Sequence, residues 1–188
     1  MFVKNYMSTA LKCVNEDDSI SFALDLMDQN NLHRLPVLKD GKLVGLITEG
    51  TIQANSPSNA TSYSMFELNY LLSKTTVKDV MIKEVITCKQ DDLLEHAAIK
   101  MRKSNIGCVP VMDGNDLVGI ITINDILKAF IDLLGYYVGG SRYVITIHDA
   151  PGILEKVSGC FVNKGANISN LGIYHKEEYA TMVIIAKK

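Results

Sequence analysis

Leu117-Val118-Gly119-Ile120-Ile121-Thr122-Ile123-Asn124-Asp125, set beside Leu43-Val44-Gly45-Leu46-Ile47-Thr48-Glu49-Gly50-Thr51, decides the fold. The two stretches lie 74 positions apart, and the match grows outward from both. Residues 3–54 align with residues 77–128 without a gap. Val3-Lys4 meets Val77-Lys78, Met7 meets Met81, Asp17-Asp18 meets Asp91-Asp92, and Pro36-Val37 meets Pro110-Val111. About a third of the positions are identical in register, which marks an internal repeat.

Each copy has the same internal grammar. A short extended piece comes first, Leu11 to Val14 or Val85 to Cys88. A helix follows, with Asp17, Asp18 and Ser19, or Asp91 and Asp92, placed to cap its free N–H groups. Ala23, Leu26, Met27 and Asn30 fall at helical spacing, as do Ala97, Ala98 and Met101. An apolar strand ending in Pro-Val comes next, then a turn around Gly41 or Gly114, where glycine beside Asp or Asn suits a tight hairpin. A second strand, Leu43 to Thr48 or Leu117 to Thr122, leads to a second helix from about Ile52 or Ile126. Each unit therefore reads β-α-β-β-α, and half a sheet with one apolar face needs its sibling to cover it. Between the copies, residues 55–62 are small, polar and Pro-containing and read as a mobile loop. The stretch from Phe66 to Leu72 reads as an amphipathic helix.

The totals limit what the chain does. Net charge is −2 over 188 residues, so no bulk electrostatic attraction to nucleic acid is expected. Trp is absent and aromatics are few, which argues against a stacking surface for single strands. The start has no basic region followed by an apolar run, and no stretch approaches the length of a membrane span, so no membrane partner and a cytoplasmic location are expected. Cys13, Cys88, Cys108 and Cys160 have no metal spacing, and they read as buried or partly buried thiols in a reducing compartment with no metal. No phosphate-binding loop, dinucleotide fingerprint, zinc-protease motif or serine elbow is present, and no catalytic residue is assigned.

The pattern Gly119-Ile120-Ile121-Thr122-Ile123-Asn124-Asp125-Ile126, with Val109-Pro110-Val111 before it, resembles the signature of CBS domains. The resemblance covers roughly residues 1–132. It implies an α+β fold: a CBS-domain pair of two β-α-β-β-α repeats, arranged about a pseudo-twofold axis with two clefts for an adenosyl ligand such as AMP, ADP, ATP or S-adenosylmethionine. The residue chemistry agrees. A carboxylate at a helix start, Asp125, can accept bonds from both vicinal hydroxyls of a ribose. The Thr122 hydroxyl suits a ribose or phosphate oxygen, and N–H groups opening the second helix favour phosphate. The same two residues also read as a strand threonine and a helix cap.

By the resemblance, adenine lies against Val85, Ile86, Gly107, Cys108 and Pro110. The first copy has Thr51 where the second has Asp125, so its site, with Thr48, is expected to be weaker, empty or specialised. Arg34 reads either as a phosphate partner or as a solvated cation. His33 and His96 read as structural.

Residues 143–188 change character. Tyr143 to Ile147 reads as a strand, and a turn at His148-Asp149-Ala150-Pro151-Gly152 leads into a helix that Asp149 can cap. Gly165 closes that helix, and two strands follow, Ile168 to His175 and Tyr179 to Ala186. The Asp-x-Pro-Gly turn resembles that of ACT domains, which implies a partial, ferredoxin-like ACT fold. An amino acid carboxylate would then meet the N–H groups of Gly152, Ile153 and Leu154 beside Asp149, with Asn167 of a neighbouring unit in contact. The alternative is a pairing surface with no ligand.

The expected domains are 1–56 for the first CBS motif, 57–74 for the linker, 75–134 for the second motif and 141–188 for the ACT-like part. That order resembles the acetoin-utilisation B family. It implies a homodimeric regulatory protein acting on an unidentified partner, with no cofactor beyond the adenosyl ligand. A dimerisation protein with dead clefts and an enzyme are the competing readings.

Overall fold

The computed structural model describes residues 1–55, 70 and 72–188; the expected loop and most of the expected linker helix lie outside them. Two compact units are present, Met1–Ile123 and Asn124–Lys188. The division falls three residues after Ile120, before most of the second repeat's closing helix.

In the first unit both repeats build the same three-stranded sheet. β1 (Val14–Asn15) pairs in parallel with β2 (Arg34–Lys39), which pairs antiparallel with β3 (Lys42–Thr48). β4 (Cys88–Lys89), β5 (Cys108–Asp113) and β6 (Asp116–Thr122) repeat the order. The extended pieces before the first helices are shorter than expected, because β1 reaches only Val37 and Leu38 of its neighbour and β4 only Val111 and Met112. Pro36 and Pro110 therefore sit where the central strand has a single neighbour, the position that tolerates a missing N–H. Asp40 and Gly41 both take positive φ, 50° and 78°, as a primed hairpin turn requires.

The helices α1 (Ile20–Asn30) and α4 (Leu94–Ser104) bury Ile20, Ala23 and Met27, or Leu94, Ala97 and Met101. Asn31 and Asn105 end them in the left-handed conformation at the same φ, 51°. The aspartates before them do not cap. The Ser19 hydroxyl accepts the Phe22 N–H, while Leu93 offers no side-chain cap. Asp18 and Asp92 instead accept the Asn15 and Lys89 N–H groups and close the preceding turns. The second helices, α2 (Glu49–Asn55) and α5 (Ile123–Leu133), begin three residues earlier than expected. In the first repeat the reason is local: Thr48 and Thr51 bond each other's N–H groups with their hydroxyls, at 3.1 and 3.0 Å, and fix the helix start.

The repeats exchange their leading segments. Val3 N–H donates to Asp92 carbonyl and Lys4 N–H to Gln90 carbonyl, and the equivalent Val77 and Lys78 bond Asp18 and Glu16. Ser8 bridges Ile120, and Ile82 bridges Leu46. Lys4 pairs with Asp91 at 2.6 Å and Lys78 with Asp17 at 2.6 Å. Val77, of α3 (Val77–Val80), is fully buried in the first repeat's core with Val14, Ile20, Met27, Leu35 and Ile47. Burying one such side chain contributes about 1.5–3 kcal/mol, so each repeat is incomplete without the other's leader.

The second unit holds the greater part of α5 and a sheet of order β7-β9-β8, built from β7 (Ser141–His148), β8 (Asn167–Lys176) and β9 (Tyr179–Lys187). Both pairings are antiparallel, and α6 (Ile153–Val162) covers the central strand through Val157. Asp149 does not cap α6. Gly152 does so in a left-handed conformation, and Asp149 bonds His175 at 2.9 Å. Gly165, at φ 66°, follows the end of α6, where its N–H returns to the Val162 carbonyl. Among the described residues no helix is long and apolar enough to cross a membrane.

Candidate functional site

Within the first unit, the ends of β2, β3 and β5 and the segment entering β4 surround a cleft of ≈ 420 Å³. One wall is apolar and comes from Val85, Ile86 and Ile106; Leu46 and Ile82, which bond each other's backbones, add to it. The polar side carries Arg34, Thr48, His33, Glu49 and Glu84. The repeat places them: Arg34 faces Thr48 across the β2–β3 ladder, and Glu49 follows Thr48 into α2.

Arg34 is the centre of this polar side. A Cβ at Gly107 would lie 2.4 Å from its Nη1, so only a glycine there admits the guanidinium at this height. The same guanidinium lies within hydrogen-bond reach of the Cys108 thiol and opposes the upward push that burial gives it. Arg34 is therefore packed rather than a loose solvated cation. His33 pairs with Glu49 at 3.0 Å on the rim, both side chains more than half exposed.

The expected ligand residues divide. Arg34, Thr48, Val85, Ile86, Gly107 and Cys108 come together in this cleft. Pro110 does not line it; it is buried in β5 opposite Ile120. Thr122 ends β6 as the ladder partner of Cys108, and Asp125, half-buried in the first turn of α5, belongs to the second unit. At each second helix the first of the N–H groups expected to face phosphate is already engaged. Glu49 N–H donates to His33 carbonyl at 3.1 Å and Ile123 N–H to Gly107 carbonyl at 3.2 Å. Thr51 is likewise engaged, its hydroxyl donating to the Thr48 carbonyl at 2.8 Å.

In the second unit, Ile153 N–H bonds the Ala150 carbonyl at 3.1 Å, so one of the three groups expected to receive a carboxylate is occupied. Asn167 opens β8, exposed, opposite Lys187. The cysteines also divide: burial pushes Cys88 up to about 11 and raises Cys13 and Cys108, whereas Cys160 is exposed, against the expectation of four sheltered thiols. Sequence reasoning missed Glu49, Glu84, Asn105 and Ile106 as cleft residues. The repeat alignment compares each residue with its mate and gives no signal for contacts made across the two copies.

Comparison with known proteins follows the same boundaries. The family model described as "CBS domain" matches residues 3–55 and 77–132. The L-aspartate semialdehyde sulfurtransferase of Methanocaldococcus jannaschii is 34% identical over 130 residues, 68% of this chain, and the chain spans only 23% of that enzyme. The CBS domain pair of protein MJ0100, solved with 5′-methylthioadenosine and S-adenosyl-L-methionine, is 32% identical with a TM-score of 0.57, covering 69% of this chain and 99% of that one. A putative acetoin utilization protein, AcuB, from Vibrio cholerae is 26% identical with a TM-score of 0.60, covering 73% and 95%. Two interlocked β-α-β-β-α repeats, matched over more than half of its length, make this chain a member of the CBS-domain family.

Proposed function

We propose that the chain is a regulatory module that binds an adenosine-containing ligand, among AMP, ADP, ATP and S-adenosylmethionine. The observation that carries this reading is the cleft of ≈ 420 Å³: it joins an apolar wall of Val85, Ile86 and Ile106, suited to a base, to a packed guanidinium suited to a phosphate or carboxylate. The complex of the MJ0100 pair with two adenosyl compounds supports it.

The two repeats are proposed to differ in strength. In the first, Thr51 is held by Thr48, so the cleft relies on Arg34 and the apolar wall. In the second, Asp125 stands in the register of Thr51, and its carboxylate can take both vicinal hydroxyls of a ribose. Losing one charge-assisted bond of that kind costs about 1.5–3 kcal/mol.

The second unit is proposed as a β-α-β-β half of an ACT-like fold that pairs with another copy rather than capturing an amino acid. Its edge strand β7 exposes Tyr143 and Val144, and α5 exposes Leu127, Phe130 and Leu133, which supports a homodimer. No catalytic step is part of this proposal.

Calorimetry with the four ligands tests it, on the wild type, Asp125→Ala and Gly107→Ala. We expect one ligand to bind the wild type and Asp125→Ala to weaken it at least tenfold, equal to about 1.4 kcal/mol. Gly107→Ala pushes the end of a flexible side chain rather than backbone, so the fold should persist while binding at the Arg34 cleft changes. No binding by the wild type, or unaltered binding by both variants, overturns the proposal.

A further inference from the structure

A second cleft of the first unit, ≈ 750 Å³, opens at the hairpin ends of the two sheets. It shares only Val85 with the cleft described above. Four lysines line it: Lys42 at the start of β3, Lys83 and Lys89 on either side of the entry to β4, and Lys100 on α4. Its one lining carboxylate, Asp92, already accepts the Lys89 N–H at 3.0 Å and lies 3.8 Å from the Lys100 ammonium. Lys100 is anchored further by donating to the Thr87 carbonyl at 2.7 Å. No carboxylate among the described residues forms an ion pair with Lys42, Lys83 or Lys89.

The repeat supplies an internal control. At the 74-residue offset the four lysines correspond to Asp116, Thr9, Asn15 and Leu26, whereas Asp92 corresponds to Asp18. The same backbone therefore forms in the other repeat with no lysine at any of the four places. The carboxylate that closes the turn is common to both, so it belongs to the fold. The lysines do not, and like charges gathered around one concavity repel one another unless an anion sits among them.

We propose that this cleft binds a small polyanion bearing a di- or triphosphate-like chain of charge. Ammonium groups on flexible stems suit phosphate oxygens as point charges. Lys42, Lys83 and Lys89 are exposed, so their attraction for an anion is long-range and weakens as salt rises. A nucleic acid strand is the poorer fit, since the lining has no aromatic ring for a base to stack on.

Inorganic tripolyphosphate, pyrophosphate and orthophosphate are the probes, titrated calorimetrically into the full chain at 50 and 200 mM salt. The expected order is tripolyphosphate tightest and orthophosphate weakest, with affinity falling at the higher salt. The double variant Lys42→Asp/Lys83→Thr copies the residues of the other repeat, so its melting temperature should stay near that of the wild type. Its tripolyphosphate affinity should drop at least tenfold. Gly107→Ala should leave tripolyphosphate binding unchanged, which separates this site from the adenosyl cleft. No tripolyphosphate binding, binding that the folded double variant retains, binding that Gly107→Ala abolishes, or binding of a single-stranded oligonucleotide alone overturns the proposal.

Discussion

Cys88 and Val14 occupy equivalent places in the two repeats, both buried, and the difference between them is a titratable atom. Burial raises the Cys88 thiol from 9.0 to about 11. Below pH 9.0 the thiol is neutral folded and unfolded, so it adds no pH dependence. Between pH 9.0 and about 11 the unfolded chain releases the proton and the folded chain keeps it, so stability is lost as pH rises through that window. Cys108 moves in the same direction. Thermal melts at pH 8 and pH 10 should therefore show a fall for the wild type and a smaller fall for Cys88→Val, which installs the residue of the other repeat. Equal falls would refute the assignment. The contact of Arg34 with Gly107 and Cys108 was not legible in the sequence. In register Arg34 is the mate of Cys108 and His33 the mate of Gly107, and mates need not touch.

The strands, helices and hairpins of each repeat were largely legible, because apolar spacing and turn glycines are local signals. Helix starts were less so, since a hydroxyl or carboxylate near a helix start can equally close the turn before it, as Asp18 and Asp92 do. Gly45 and Gly119, and Met7 and Met81, stood out as repeat identities, but their meaning appears only in three dimensions. A Cβ on Gly119 would lie 2.6 Å from the Met7 sulfur and 3.1 Å from the Ser8 carbonyl oxygen; Gly45 meets Met81 and Ile82 in the same way. The glycine is the place where the partner repeat's leader crosses the strand. Gly119→Ala should destabilise the protein by about 1–3 kcal/mol in urea unfolding, the usual cost of overpacking. A loss below about 0.5 kcal/mol, within the range of an ordinary surface change, would contradict that tight crossing.

Across the molecule, the duplication read from residues 3–54 and 77–128 correctly implied two matching sheets, but not that each would keep its first segment in the other. A polypeptide of residues 1–55 has Leu35, Val37 and Ile47 for a core and lacks Val77, which closes it. Alone it should give the circular dichroism of an unfolded chain, and so reveal a loss that adding residues 75–188 reverses. Recovery of native signal on mixing at equal concentration is expected; a folded 1–55 fragment would disprove the mutual dependence. The exchanged leaders thus act as a clasp with two hooks. Severing the polypeptide between the hooks removes a covalent bond without removing either hold, so the halves should find each other again as separate molecules.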